Sequence, residues 1–341
     1  MFSFPIANAF FSTPLINPQF PAIDYNDFTP DINIFSGDNK SKINSYALYL
    51  QDVVRFKNFT LLAALRYERF NEKVRNETYD GGNLSELKDT TTVNGFAPRI
   101  GLTWQPSKSS SVYVGFNSGF RPNFDPGPGS GAPFDPEQFN QIEFGARKEF
   151  YEGRLMASLA VFRINRNNLL IPDPSDLQNI RFIQINKVYS QGVELTTVGK
   201  LFDGFNMNAG YAYNPTFAPG ALNDAGIDGR FPLAPLHSAT LWANYELQQT
   251  KLKGLFFGIG GNYSSSAASF VPGLNRKAYT VFSSNIGYTK NNFSAVLNTE
   301  NLFNSKYMEN IFNSNGGYRS LPRRFRVSLS YTFSKNDKTK K

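Results

Sequence analysis

Apolar and polar positions alternate with a period of two along most of this chain, and the alternating segments outrun the strands of ordinary globular domains. In segment 323–333, Phe325, Val327, Leu329, Tyr331 and Phe333 fall on one face, and Arg324, Arg326, Ser328, Ser330 and Thr332 on the other. Segment 110–122 sets Val112, Val114, Phe116 and Phe120 against Tyr113, Gly115, Asn117 and Arg121. In 139–151, Ile142, Phe144 and Ala146 oppose Gln141, Glu143, Gly145 and Arg147. One face suits hydrocarbon and the other water. A charge facing the bilayer midplane costs about 2–4 kcal/mol, so Glu143 and Arg147 are expected to point inward.

Applied to the whole chain, the pattern predicts thirteen strands: 45–56, 59–74, 94–107, 110–122, 139–151, 154–170, 182–201, 205–214, 236–248, 255–268, 279–290, 292–304 and 323–333. Their connections alternate between tight and long. Lys57-Asn58, Ser107 to Ser109, Glu152-Gly153, Phe202 to Gly204, Gln249 to Gly254 and Asn291 read as hairpin turns. Between them lie stretches rich in Gly, Pro, Asn and Asp: 75–93, 123–138, 171–181, 215–235, 269–278 and 305–322. Short turns on one rim and long loops on the other are the layout of an outer-membrane barrel, with turns periplasmic and loops extracellular. The fold class expected is therefore all-β, a transmembrane antiparallel β-barrel. A soluble β-fold would alternate too, but its strands run about 5–6 residues, against about 9–11 for a tilted membrane strand.

Composition narrows the functions. Phe (33) and Tyr (17) far outnumber Trp (2), in keeping with an all-β chain. Cysteine is absent, which removes disulfide frameworks, thiolate nucleophiles and cysteine-ligated metals. The net charge of +8 is diffuse; its densest runs, 323–326 and 335–341, carry no nucleic-acid motif, and no nucleic-acid partner is expected. No stretch reaches the ~18 apolar residues of a membrane helix, and mean hydropathy is −0.37, which barrel strands also average to. Residues 1–11 (MFSFPIANAFF) do not read as a secretory signal.

The runs SYALYLQD (45–52), NGFAPRIGLTWQPSKSSSVYVGFNSGFRP (94–122), QIEFGARKEF (141–150), SQGVEL (190–195), PLHSATLWANYEL (235–247), NTENLFNSKY (298–307) and RRFRVSLSYTF (323–333) resemble, in order, the barrel of TonB-dependent siderophore receptors. That resemblance implies an outer-membrane receptor of a Gram-negative bacterium, with a barrel of about twenty-two strands around an N-terminal plug. It implies energy-coupled uptake of a ferric siderophore, with TonB engaged through a region outside this chain and insertion by the barrel-assembly machinery. On this reading residues 1–44 lie in an extracellular loop of the parent barrel and 45–333 form the C-terminal part of the barrel. The plug is missing, and 334–341 is a polar tail. Phe333 would be the assembly signal.

Catalysis has no motif behind it, and the chain is not expected to be an enzyme. His237 stands at a loop-to-strand junction without a recognisable catalytic partner. Carboxylate spacing fits neither a calcium loop nor a glycosidase pair. Asp135 to Glu137 reads as a loop end, and GIGG (258–261) as a place where strands approach closely. Binding is the better expectation. A ferric siderophore arrives with its metal already wrapped, so the receptor supplies no metal ligand or cofactor but aromatic walls and donors. Candidates are Arg121, Asn123, Phe124 and Phe134, then Arg230 and Phe231, then Tyr318 and Arg319. Outer-membrane lipid and lipopolysaccharide are further expected partners. Alternatives are uptake of haem, cobalamin or a carbohydrate, a passive porin-like or adhesin-like barrel, and a soluble β-rich binding module.

Overall fold

The computed structural model describes residues 36–80, 83–124, 133–173, 176, 181–220, 229–248, 251–269, 273–313 and 316–333. Among these the strands are β1 (Ser36–Phe56), β2 (Phe59–Asp80), β3 (Asn83–Ser107), β4 (Ser110–Arg121), β5 (Glu137–Phe150), β6 (Leu155–Asn167) and β7 (Leu169–Pro172). Then come β8 (Phe182–Ile185), β9 (Val188–Phe202), β10 (Phe205–Tyr213), β11 (Thr216–Phe217), β12 (His237–Glu246), β13 (Leu255–Ser264) and β14 (Ala267–Ala268). Last are β15 (Asn275–Arg276), β16 (Tyr279–Lys290), β17 (Phe293–Glu300), β18 (Met308–Asn313), β19 (Gly316–Arg319) and β20 (Arg324–Tyr331). The long strands pair antiparallel in chain order, β1-β2-β3-β4-β5-β6-β9-β10-β12-β13-β16-β17-β20, the thirteen expected. β1 and β20 are the two ends of this path, so the sheet is not closed.

The register sorts the side chains into two continuous faces. Val54, Leu61, Leu102, Val114, Phe144, Val161, Val193 and Tyr213 are successive cross-strand partners, as are Tyr245, Phe257, Ile286, Leu297 and Val327. Phe325, Leu329 and Tyr331 share the face of Val327, and Leu48, Leu50 and Leu329 are about 70% exposed or more (74%, 75% and 68%). So much exposed apolar surface calls for hydrocarbon. The opposite face runs through Asn244, Gly258, Asn285, Asn298 and Arg326, and includes Glu143 and Arg147 as the pattern requires. No helix of the described residues is long and apolar enough to cross a membrane, a statement that leaves strands aside.

Tight turns close one rim. Lys57 (φ 50) and Asn291 (φ 52) adopt the left-handed conformation that two-residue hairpin turns demand, where asparagine is tolerated better than most residues. Gly254 (φ 94) is held more strictly, because a Cβ there would lie 2.0 Å from the Thr289 carbonyl oxygen.

At the other rim the structure departs from a picture of plain loops. Much of 75–93 is ladder, since β2 and β3 pair without interruption up to Asp80 and Asn83. At ~3.3 Å per residue, 22 residues of β2 reach far past the 9–11 that cross a bilayer. Arg75 bridges Glu77 and Glu86 across this ribbon, and Lys88 bonds Glu86 at 2.8 Å. The Lys88 hydrogen bond is the leading cause that holds the Glu86 carboxyl below its ordinary range. The polar run 75–93 hides the ribbon, because both faces are solvated there and the apolar alternation fades. Within the remaining loops β7 pairs β8, β14 pairs β15, and β18 pairs β19. β1 starts at Ser36, nine residues before the expected strand; residues 1–35 and 334–341 lie outside the described ones. Phe120, grouped by alternation with the outward set, packs edge-on against Phe70 at 6.0 Å, on the face of Glu72 and Val93. It lies beyond the Arg99–Asn117 pair, where β3 and β4 stop pairing although β4 stays in register with β5, so its ring reaches over the open side toward Gly95 and Phe70.

Candidate functional site

Most of the buried apolar side chains among the described residues gather at the loop rim. Leu169, Ile171, Ile185, Val188 and Ala218 form one cluster, with Ile183 and Phe231 packed against it. β7 and β8 fold over as a hairpin whose apolar side meets the segment after β11, so the loops following β6 and β10 share a small core of their own. Phe231 is a member of that core; its N–H also donates to the Thr216 carbonyl at 2.8 Å. Arg230 is exposed and forms an isolated bridge with Phe217.

A charged cluster adjoins the hairpin. Glu137 opens β5, facing the interior, with 3% of its side chain exposed. Arg121 Nη2 donates to its Oε2 at 2.7 Å, and Arg166 Nε to its Oε1 at 2.6 Å. Two guanidinium groups on one carboxylate leave the cluster with net positive charge. Arg121 keeps 64% of its side chain exposed and Arg166 38%, so both retain surface toward the interior. Asn123 is buried and works structurally: its Nδ2 donates to the carbonyls of Asp135 and Asn168, each at 2.8 Å. Gln184 of β8 completes the tie, donating to the Asp135 carbonyl at 2.7 Å and accepting from its N–H at 3.0 Å. Phe124 meets Phe70 edge-on at 6.5 Å, while Phe134 is half-buried in the same segment.

Tyr318 and Arg319 lie elsewhere on the rim, on β19, both exposed and paired with Asn310 and Met308 of β18. Beneath them Tyr279 and Tyr307 stack at 4.1 Å, and the Arg276 guanidinium lies 4.9 Å from the Tyr279 ring. Burial, then Glu309 and Tyr279, push the Tyr307 phenol above its ordinary value. The Leu233 N–H donates to the Ala268 carbonyl at 2.8 Å, joining the loop before β12 to the β14–β15 hairpin. The eight expected site residues thus divide between two regions. Arg121, Asn123, Phe124, Phe134, Arg230 and Phe231 belong to the first, and Tyr318 and Arg319 to the second.

Glu137, Arg166 and Gln184 escaped the reading of the sequence. The signal available was an acid at a strand start flanked across the ladder by arginines, legible only once strand pairing is known. His237 sits on the apolar face at the rim, with Tyr211 Oη 2.8 Å from Nδ1 and the Tyr213 ring at 5.2 Å, an interfacial aromatic setting. Phe333 is 88% exposed and meets Tyr331 edge-on. Among the described residues no group of three or more His, Cys, Asp or Glu could hold a metal.

Comparison with known proteins follows this architecture. The family model for the TonB-dependent receptor-like β-barrel matches residues 7–302. The metal-pseudopaline receptor CntO of Pseudomonas aeruginosa is 28% identical over 300 residues, covering 86% of this chain and 42% of that protein. The ferric-pyoverdine 358 receptor of Pseudomonas putida is 30% identical over 249 residues, covering 69% of this chain and 29% of that protein. Among solved structures, the ferric-catecholate import receptor Fiu of Escherichia coli superposes with a TM-score of 0.74 at 21% identity, over 86% of this chain and 45% of that one. This last likeness speaks to the fold alone. The chain spans less than half the length of the relatives it matches. An open antiparallel wall, apolar outside and polar inside, together with a family match over most of the sequence, shows that the chain belongs to the TonB-dependent receptor-like β-barrel family.

Proposed function

We propose that the protein acts in the Gram-negative outer membrane as a receptor for energy-coupled uptake of ferric siderophores, and that this chain supplies part of the binding mouth and pore wall. The observation that carries the reading is the Arg121–Glu137–Arg166 cluster. It is a net positive, interior-facing group at the loop rim, braced by Asn123 and Gln184, in a family whose relatives are receptors for siderophore and metal complexes. Anionic chelate oxygens are the ligands a guanidinium fork holds best. Phe124 and Phe134 would provide aromatic surface, with Arg230, Tyr318 and Arg319 as further donors along the rim. Coupling to TonB, insertion by the barrel-assembly machinery with Phe333 as its signal, and contact with lipopolysaccharide belong to the same reading.

Fluorescence tests it. Trp242 faces the interior, above Gly258 and Gly260, whereas Trp104 is on the apolar face, so a Trp104→Phe variant makes Trp242 the sole tryptophan reporter of ligand in the lumen. Titration with anionic and neutral ferric chelates should quench it at lower concentration for the anionic set. Arg121→Ala should then weaken anionic binding by about tenfold, roughly 1.4 kcal/mol, and leave neutral chelates unchanged. Equal response to both sets, or to haem and cobalamin instead, would redirect the ligand assignment.

A further inference from the structure

The interior of the mouth carries opposite charges on its two sides. The Arg121–Glu137–Arg166 cluster makes the side of β4 to β6 positive. On the side of β1 to β3 stands Glu72, with Ile43 and Thr91 as its cross-strand partners. It alternates with Asn71 and Lys73, which share the outward face of Leu61 and Leu65, so Glu72 faces the interior. Counted from their turns, Glu72 and Arg121 both stand past the ~9–11 residues that cross a bilayer. Aromatic rings link the two sides. Phe70, on the face of Glu72, meets Phe120 at 6.0 Å and Phe124 at 6.5 Å, and these two flank Arg121 in the chain.

Glu72 is only 3% exposed, yet its carboxylate is half answered. Oε1 accepts from the Ser41 hydroxyl at 2.6 Å, whereas Oε2 is buried and has no hydrogen-bond partner. The nearby cations are turned away or engaged. Lys42 and Lys73 are cross-strand partners on the opposite face, Arg66 holds Glu68, and Arg121 and Arg166 hold Glu137. Asp89, on the interior face of β3, adds further negative charge on this side. A buried carboxylate without a counter-charge costs stability, and the cost is removed by a cation that brings its own hydrogen-bond donors.

We propose, resting on the reading of this mouth as a siderophore site, that Glu72 receives a primary ammonium carried by the ligand. The chelate bound is then zwitterionic, with its anionic, metal-bearing core on Arg121 and an ammonium arm on Glu72. An ammonium supplies both the donor and the charge that Oε2 lacks. The rings of Phe70, Phe120 and Phe124 suit the stem between, since their faces take an alkyl chain and attract a cation at its end. Ser41 keeps Oε1 while Oε2 turns to the arm. A lysine of another polypeptide shares this chemistry, but a single small ligand also accounts for the arginines across the mouth.

The test uses the full chain folded in maltoside micelles, with β-structure checked by circular dichroism and binding followed by Trp242 quenching in the Trp104→Phe background. One probe is a ferric tris-catecholate bearing a primary amine, and the other is the same chelate with that amine acetylated. The amine form is expected to bind about tenfold tighter, the scale of one charge-assisted contact, and excess n-butylammonium should narrow the gap. Glu72→Gln should erase the difference and leave the acetylated form unchanged. It should also unfold in urea no earlier than wild type, because it removes a buried charge that nothing answers; a carboxylate with a purely structural role would not sort the two probes. Equal binding of the two forms by the unsubstituted Glu72 protein overturns the proposal without any need for the variant to fold, and assigns Glu72 to a polypeptide cation instead. If Arg121→Ala still weakens both forms in that case, the siderophore reading stands and the ammonium assignment alone falls. If neither chelate binds, or Arg121→Ala weakens neither, the reading itself falls and takes the proposal with it.

Discussion

Because only 3% of the Glu137 side chain is exposed and both of its oxygens are taken, its carboxylate answers two guanidinium groups at once. Breaking such a set leaves charge uncompensated, which costs more than the exposure of Arg121 alone would indicate. Glu137→Gln keeps the shape and removes the charge, so Arg121 and Arg166 should repel and the ties from Asn123 and Gln184 should loosen. A local loss of about 2 kcal/mol would raise the open population roughly thirtyfold. Trypsin cleavage after Lys187, an exposed residue beside the β8 strand, reads that opening. Cleavage at the wild-type rate would mean that the cluster does not brace the hairpin. Arg121→Ala should have a smaller effect than Arg166→Ala, whose guanidinium is the more covered of the two. The sequence points to Arg121 but not to its partners. An arginine closing a strand beside a Gly-Pro-Asn loop stands out as a donor, whereas Glu137 sixteen residues away looks like an ordinary strand start.

In the strands, fit is decided by what lies across the ladder. A Cβ at Gly260 would come 2.3 Å from Trp242 Cε3 and 2.5 Å from the Leu241 carbonyl oxygen, and the carbonyl cannot swing aside as a side chain can. Gly101 sits in the same kind of ladder, but its nearest neighbour would be the Val114 carbonyl oxygen at 3.8 Å. Gly260→Ala should therefore destabilise the wall by about 1–3 kcal/mol and Gly101→Ala by much less, as judged by urea unfolding in micelles followed by circular dichroism. Equal midpoints for the two variants would refute the packing argument. All thirteen strands of the wall were legible because lipid on one side and water on the other force a period of two over many residues. Their upper ends were not. Above the membrane both faces of β2 and β3 are wet, so 75–93 reads as a loop although its backbone is laddered up to Asp80 and Asn83. The small pairs β7–β8, β14–β15 and β18–β19 are too short for any period to register.

Twelve antiparallel steps separate β1 from β20, an even number, so the two edge strands run in the same direction. They cannot meet antiparallel, and the backbone groups along each outer edge have no partner within the sheet. Unpaired groups in hydrocarbon cost several kcal/mol apiece. The 341 residues alone should thus show no heat-modifiable, SDS-resistant monomer: boiled and unboiled samples should run alike on gels. A compact band in the unboiled lane would mean that the edges close by another route. The rim has a different relation to the whole. Its small core of Leu169, Ile171, Ile185, Val188 and Ala218 is packed among loops and owes little to the lipid-facing surface. Mutations that remodel the mouth therefore leave the wall's membrane fit largely untouched, and the reverse also holds. In evolutionary terms the two can drift at separate rates: loops after β6 and β10 can be exchanged together, as one inherited unit, while the strands beneath them stay under selection from the bilayer alone.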